Sequence, residues 1–262
     1  LLHHLAGVPI VGHVLATARA LDAAHVVTVV RHERDRLVEV IDTELPGAII
    51  VDQDEVPGTG RAVEQAVAAL PDSFDGDVLV LNGDVPLLNA KTLGILIERH
   101  RTHTANATLL TAVLGDPTGY GRVLRQDDGA VDRIVEQKDA TVDELTVAEI
   151  NAGVYVFGVG ELRDHLASLA LDNAQGEKYL TDMVAVLRAA GSEVSALPVN
   201  EAWIVEGIND RAQLSAAAAR LNALIVRGWQ LAGATIQDPA TTWIDLAVVL
   251  SPDVTILPGT QL

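Results

Sequence analysis

Short apolar runs alternate along this chain with segments whose apolar residues recur every three or four positions. HVVTVV (25–30), GAIIV (47–51) and DVLVL (77–81) read as buried strands, too uniformly apolar to leave one face in water. Between them, ERDRLVEVIDTEL and GRAVEQAVAAL carry helical spacing. NAKTLGILIERHRTH (89–103) continues as a helix with Asn89 placed to cap it, and NATLLTAVL (106–114) is the next strand. This βαβα rhythm predicts a parallel, doubly wound sheet with right-handed crossovers. The pattern then changes. GRVLRQDDGAVDRIVEQ (121–137) is two alternating runs around Asp127-Asp128-Gly129, a hairpin signature. INAGVYVFG (150–158) is another strand, EKYLTDMVAVLRAAG (177–191) predicts a helix ending at Gly191, and EVSALPV (193–199) a strand. The middle therefore reads as a mixed insertion facing the carboxyl edge of the first sheet, a second wall for a cleft. From Asp210 to about Gly233 an Ala- and Leu-rich stretch predicts a helix of roughly 20 residues. Beyond it Val248, Val254 and Thr260 stand six apart, the period of a parallel β-helix coil. So short a coil needs a partner or more chain to bury a core.

Composition narrows the classes. With 262 residues, 49% of them apolar and 3% aromatic, the core must be Val, Leu, Ile and Ala, which suits helices packed on a sheet. A net charge of −18 argues against binding along a nucleic-acid backbone. It leaves room for a phosphate ligand, because a bound divalent cation reverses the local sign. The absence of cysteine excludes disulfides, thiolate zinc sites and a cysteine nucleophile. No stretch reaches the roughly 20 apolar residues of a membrane span. LLHHLAGVP lacks a basic segment followed by an apolar one, so no signal peptide is expected, and a cytoplasmic location is. His3-His4 is an adjacent pair at a chain end and is not read as a metal site.

VLVLNGDVP (78–86) ends a strand on Asp84, at the sheet edge where open α/β folds bind ligands. Asp84 either makes a solvated turn or holds Mg²⁺, which takes one or two protein oxygens beside phosphate and water. Asn209 in VEGIND would be the second donor; the alternative is that it, or Asp210, caps the long helix. VPGTGRAV (56–63) sets Gly58 and Gly60 before a helix. It lacks the third glycine of a dinucleotide fingerprint and the Lys-Ser/Thr of a P-loop, so it is a turn or a place of close approach. GYGRVL (119–124) fails the same tests. Glu136 is an exposed strand end or a ligand group, Asn151 a loop amide or the same, and Tyr179 and Thr181 pack and cap a helix start or line a site. No G-x-S-x-G elbow and no H-E-x-x-H exist to support a hydrolase or a zincin.

DQDEVPGTGRA, VLNGDVPLL, DPTGYGRV, IVEQKDAT, EINAGVYVF, NAQGEKYLTDMV and VEGINDRAQL occur in this order. Over essentially the whole chain they resemble the bacterial bifunctional N-acetylglucosamine-1-phosphate uridyltransferase/glucosamine-1-phosphate acetyltransferases, the GlmU family. The resemblance implies a Rossmann-like, GT-A-like nucleotidyltransferase fold with a mixed, mostly parallel sheet. A long linker helix and the first coil of a left-handed parallel β-helix would come after it. The resemblance divides the chain into a uridyltransferase domain (1–209), a linker helix (210–232) and the start of the acetyltransferase domain (233–262). It implies Mg²⁺-dependent reaction of UTP with N-acetylglucosamine 1-phosphate to UDP-N-acetylglucosamine and pyrophosphate, a step toward cell-wall peptidoglycan. Gln53, Gly58 and Thr59 would hold the uracil. Asp84 and Asn209 would share the Mg²⁺. Gly121, Glu136 and Asn151 would hold the sugar phosphate, and Tyr179 and Thr181 would line the sugar side.

The sequence departs from the family at both ends. The family's glycine-rich phosphate loop, L-A-A-G-x-G-T-R-M leading to P-K-x-L, is not among these residues, and LLHHLAGVPIVGHVL matches the family segment just after that loop. Losing the strand before the loop would bare a sheet edge, so the loop is expected to belong to the protein. At the other end one coil implies no acetyl-CoA binding and no acetyltransferase activity here. The family's homotrimer, built on its β-helix, need not form from such a stub. The competing readings are another sugar-1-phosphate nucleotidyltransferase, with a different base or sugar, and a catalytically silent fragment that binds a UDP-sugar.

Overall fold

In the computed structural model, which describes residues 1–262, a short hairpin opens the chain. β1 (His4–Leu5) pairs antiparallel with β2 (Val8–Pro9) and runs into α1 (Ile10–Arg19). Two βα units come next: β3 (Val27–Val30), α2 (Arg34–Glu44), β4 (Ile49–Asp52) and α3 (Thr59–Ala68). β3 and β4 pair in parallel as a two-stranded sheet of their own, closed by Val11, Leu15, Leu37 and Ile41.

The larger sheet has six strands. β5 (Asp77–Val80) leads into α4 (Ala90–Thr102), whose first turn is fixed by Asn89 accepting the Thr92 N–H, and then β6 (Ala107–Val113). The hairpin β7 (Arg122–Arg125) and β8 (Val131–Val135) is succeeded by β9 (Glu149–Gly158) and α5 (Val159–His165). α6 (Asp182–Ala189) and β10 (Val194–Val199) complete the unit. β9 is antiparallel to both β5 and β6 and lies between them, and β10 lies parallel to β6. The sheet is thus mixed. β5 and β6 run parallel, as the βαβα rhythm predicts, but they are not neighbours. Their partner comes from about 40 residues later in the chain, a pairing that local periodicity does not encode.

β9 is buried on both faces. Tyr155 and Phe157 face α3, α5 and α6 with Leu162, Met183 and Leu187, whereas Val154 and Val156 face α4 with Leu93 and Leu96. Each fully buried leucine contributes roughly 1.5–3 kcal/mol, so the ten-residue β9 is the axis of the core. The helix predicted over 177–191 begins only at Asp182. Residues 177–179 carry no regular structure and 180–181 form a turn, and the Lys178 backbone bonds to the loop before α3 instead.

α7 (Arg211–Leu231) is the long predicted helix. Asp210 caps it in a reciprocal box with Gln213, so Asn209 lies outside the cap. The tail then turns once. β11 (Thr235–Ile236) pairs in parallel with β12 (Thr255–Ile256), and Ile236, Ile244 and Ile256 bury against Val226 of α7. No helix is long and apolar enough to cross a membrane.

Candidate active site

Asp84 lies just past β5, beyond the Asn82-Gly83 turn, and its carbonyl accepts the Ile208 N–H at 2.9 Å. That bond lays residues 206–209 alongside it. A side chain at Gly207 would stand 3.1 Å from Asp84 Oδ2 and 3.7 Å from Asn209 Nδ2, so the acid and the amide flank one small space that glycine leaves open. Burial pushes the Asp84 carboxyl up, and no lysine or arginine opposes it. One carboxylate, one amide and an open space suit a hard divalent cation that keeps waters and phosphate as its other ligands. No group of three or more His, Asp or Glu side chains forms an all-protein cage anywhere in the molecule.

A second group gathers at the end of β4. Gln53 Nε2 donates to the carbonyls of Val56 (3.2 Å) and Gly58 (3.1 Å), bracing the PGTG turn. Gly58 has φ +113°, and any Cβ there would overlap the Lys178 backbone. The two segments are laced together: Lys178 N–H to Pro57 O (2.9 Å), Gly60 N–H to Lys178 O (2.7 Å), and Leu180 N–H to Thr59 Oγ1 (3.2 Å). Close backbone approach is therefore the role of glycine here. Beneath the turn, Lys178 Nζ pairs with Glu64 at 2.9 Å, and Arg61 joins Glu64 to Asp54. Those cations are engaged with carboxylates.

Alternation along 177–181 carries the chain to a third group. Thr181 donates to Glu136 Oε1 at 3.1 Å. Gly121 lies against that carboxylate: a Cβ there would stand 3.4 Å from both its oxygens and 3.1 Å from an Ile134 methyl. Gly121 O accepts the Asn151 N–H at 2.9 Å, and Asn151 Nδ2 donates to the Tyr155 hydroxyl at 2.6 Å. Burial pushes the Glu136 carboxyl up, and Asp182, Asp139 and Glu177 add to it against the Thr181 hydrogen bond. Tyr179 stands one step aside: its hydroxyl accepts from Gln175 (2.8 Å) and donates to Asp139 (3.4 Å).

The structure thus gathers the ten expected residues into three adjoining groups, with Tyr179 bonded to none of the other nine. Sequence reading missed the connectors. Asn151 Oδ1 accepts the Gly153 N–H at 3.1 Å, and Gly153, at φ +70°, makes room for the Asn82 amide. β9 carries an irregularity at this point, opposite Leu109 and Thr111. Burial pushes the Tyr120 hydroxyl up, and the nearby Glu206 and Asp84 carboxylates add to it against the Gly207 backbone. The only sequence signal for these residues is the paired glycines of GYGRVL.

The profile of the family described as MobA-like NTP transferase domain matches residues 1–186. The bifunctional protein GlmU of Leifsonia xyli subsp. xyli is 67% identical over 262 residues, covering all of this chain and 54% of that protein. The proteins of the same name from Clavibacter sepedonicus and Kineococcus radiotolerans are 61% and 52% identical, each over all of this chain and 53% of the relative. The chain spans about half the length of the relatives it matches. Among solved structures, 4-diphosphocytidyl-2C-methyl-D-erythritol synthase from Anaerococcus prevotii superposes with a TM-score of 0.59 at 15% identity, over 83% of this chain and 88% of that one. HddC from Yersinia pseudotuberculosis complexed with GMP-PN gives 0.59 at 15%, over 84% and 88%. These two likenesses are of fold.

Proposed function

The chain belongs to the MobA-like NTP transferase domain family, and from that premise we propose that it transfers the uridylyl group of UTP to N-acetylglucosamine 1-phosphate. A sugar-phosphate oxygen forms the new bond to the α-phosphorus of UTP. The bond from that phosphorus to the bridging oxygen breaks, and pyrophosphate leaves. Residues 1–209 would carry this reaction, with 210–232 a linker helix and 233–262 the start of a second domain.

One observation carries the proposal: Asp84 and Asn209 flank the open space at Gly207, next to a polar face made by Gly121, Glu136, Asn151 and Thr181. The entering phosphate is already an anion, so no covalent nucleophile on the protein is required. The barrier lies in bringing two anions into line while charge shifts to the leaving group. Asp84 and Asn209 would hold Mg²⁺, which when bound neutralises phosphate charge. Gln53 and the Gly58–Thr59 turn that it braces would hold the pyrimidine through polar edges and not over Gly58, whose open face the Lys178 backbone fills. Glu136 and Asn151 offer an acceptor and an amide for sugar hydroxyls, which orients the attacking phosphate.

The test is pyrophosphate release from UTP and N-acetylglucosamine 1-phosphate as Mg²⁺ is titrated. The wild-type chain turns over, and Asp84→Ala loses about a hundredfold or more in rate, the worth of one charge-stabilising group, while its unfolding temperature does not fall. Retained turnover in Asp84→Ala removes that residue from the site. Preference for dTTP, CTP or GTP over UTP overturns the assignment of the base.

A further inference from the structure

A buried guanidinium ordinarily faces a carboxylate, because an unpaired charge is costly to bury. Arg122 does not. It is only 2% exposed, yet it bonds to neutral oxygens: Nη1 donates to the Tyr120 carbonyl, Nη2 donates to Gln137 Oε1 at 3.2 Å, and Nε has no partner. Gln137 Oε1 also accepts the Gly119 N–H at 2.6 Å. Arg122, which opens β7, and Gln137, two residues past the end of β8, therefore grip both sides of one three-residue turn, Gly119 to Gly121. Arg122 is also the residue of β7 that pairs on both sides, with Val135 of β8 and Ile150 of β9.

The gripped turn connects the two halves of the site. Its middle residue, Tyr120, packs against the apolar cluster that holds Val85, next to Asp84, and Val205, two residues before Gly207. Its last residue, Gly121, bonds to Asn151 and lies against Glu136. A displacement of the turn would shift Gly121 and Asn151, on the sugar side, against the Asp84–Asn209 pair. Resting on the function proposed above, we propose that Arg122 and Gln137 are positioning residues. They lock the Gly119–Gly121 turn and so set the sugar-phosphate site relative to the cation site.

Gln137→Leu tests this, since it keeps the volume and removes the shared acceptor, whereas truncating the buried Arg122 risks unfolding. The expected result is faster hydrogen exchange at the Gly119 and Asn151 amides. KM for N-acetylglucosamine 1-phosphate should rise about tenfold, the loss expected for one or two hydrogen bonds. KM for UTP and kcat should change less than about threefold, because the PGTG turn and the attacked phosphate are not gripped. Gln137→Glu, which keeps an oxygen acceptor, should restore both exchange and KM. Unchanged exchange in Gln137→Leu, an equal KM rise for both substrates, or no rescue by Gln137→Glu overturns the proposal. Absence of turnover by the wild-type chain would defeat the assigned reaction instead, and the exchange measurement would still decide the clamp.

Discussion

Glu136 and Asp54 are both carboxylates beside glycine turns, and their surroundings drive their protonation in opposite directions. Arg61 hydrogen-bonds Asp54 and holds its carboxyl below the usual range. Glu136 is desolvated among Asp182, Asp139 and Glu177 with one hydroxyl donor, and it is pushed up. A group whose folded value is raised contributes stability that is fully present below its ordinary value and lost as pH rises through the raised one. Ionising Glu136, as the proposed acceptance of sugar hydroxyls requires, therefore strains the fold. Glu136→Gln should unfold at a higher temperature than the wild type near neutral pH, by about 2–4 °C. The gap should close on acidification below the ordinary glutamate range. The same variant should bind UDP-N-acetylglucosamine about tenfold or more weakly, as expected for a lost charged acceptor. Thermal scans across pH together with calorimetric titration check both halves. A gap that stays constant with pH would mean that the raised carboxyl is not its source.

Secondary-structure elements show the same division between local and distant causes. Asn222 lies buried in the middle of α7, where helix propensity gives it no reason to be. Its Nδ2 donates to Thr242 O at 2.7 Å and its Oδ1 accepts the Ile244 N–H at 3.0 Å, so it pins the tail to the helix as a strand partner would. Asn222→Leu would strand two buried backbone groups and destabilise the turn of tail by about 2–4 kcal/mol. Limited proteolysis should then cut within 235–262 while the turnover proposed for residues 1–209 is kept. Resistance equal to wild type would assign the tail's order to Ile236, Ile244 and Ile256 instead. Helices and strands such as α4, β6 and the β7–β8 hairpin were legible because periodicity and caps are local. The six-residue period seen at Val248, Val254 and Thr260 extends back to the buried Thr242 and Ile236. The illegible parts depend on distant partners. Leu180 is in helical step with Val184 and Leu187, yet Lys178 bonds to the backbone of Pro57 and Gly60 and the helix starts only at Asp182. Likewise the turn chemistry of Asp84 and the cap at Asp210 could be read, but Gly207 as their meeting point could not. Arg122 looked like one more charge in an alternating strand.

At the scale of the whole molecule, a body of charge −18 attracts neither of the two phosphate-bearing substrates proposed for it. The half-buried Asp84 adds to that repulsion until a cation is bound, and Lys178 and Arg61 are already paired with Glu64 and Asp54. The long-range field should therefore oppose binding, while the short-range site should favour it once the cation is present. Salt separates the two ranges. Raising ionic strength from about 0.01 to 0.1 M shortens the screening length from about 30 to about 10 Å, which mutes the distant acids but leaves contacts inside the cleft nearly intact. With Mg²⁺ held in excess, KM for N-acetylglucosamine 1-phosphate should fall over that range, the reverse of the trend for a basic phosphate-binding protein. The comparison is made at constant free Mg²⁺ with a monovalent chloride salt, which keeps the cation site equally filled. A KM that rises with salt would mean that positive potential at the cleft outweighs the body charge. The Gly207 space flanked by Asp84 and Asn209 would then not be the dominant source of phosphate affinity, and cations elsewhere on the cleft wall would have to supply it.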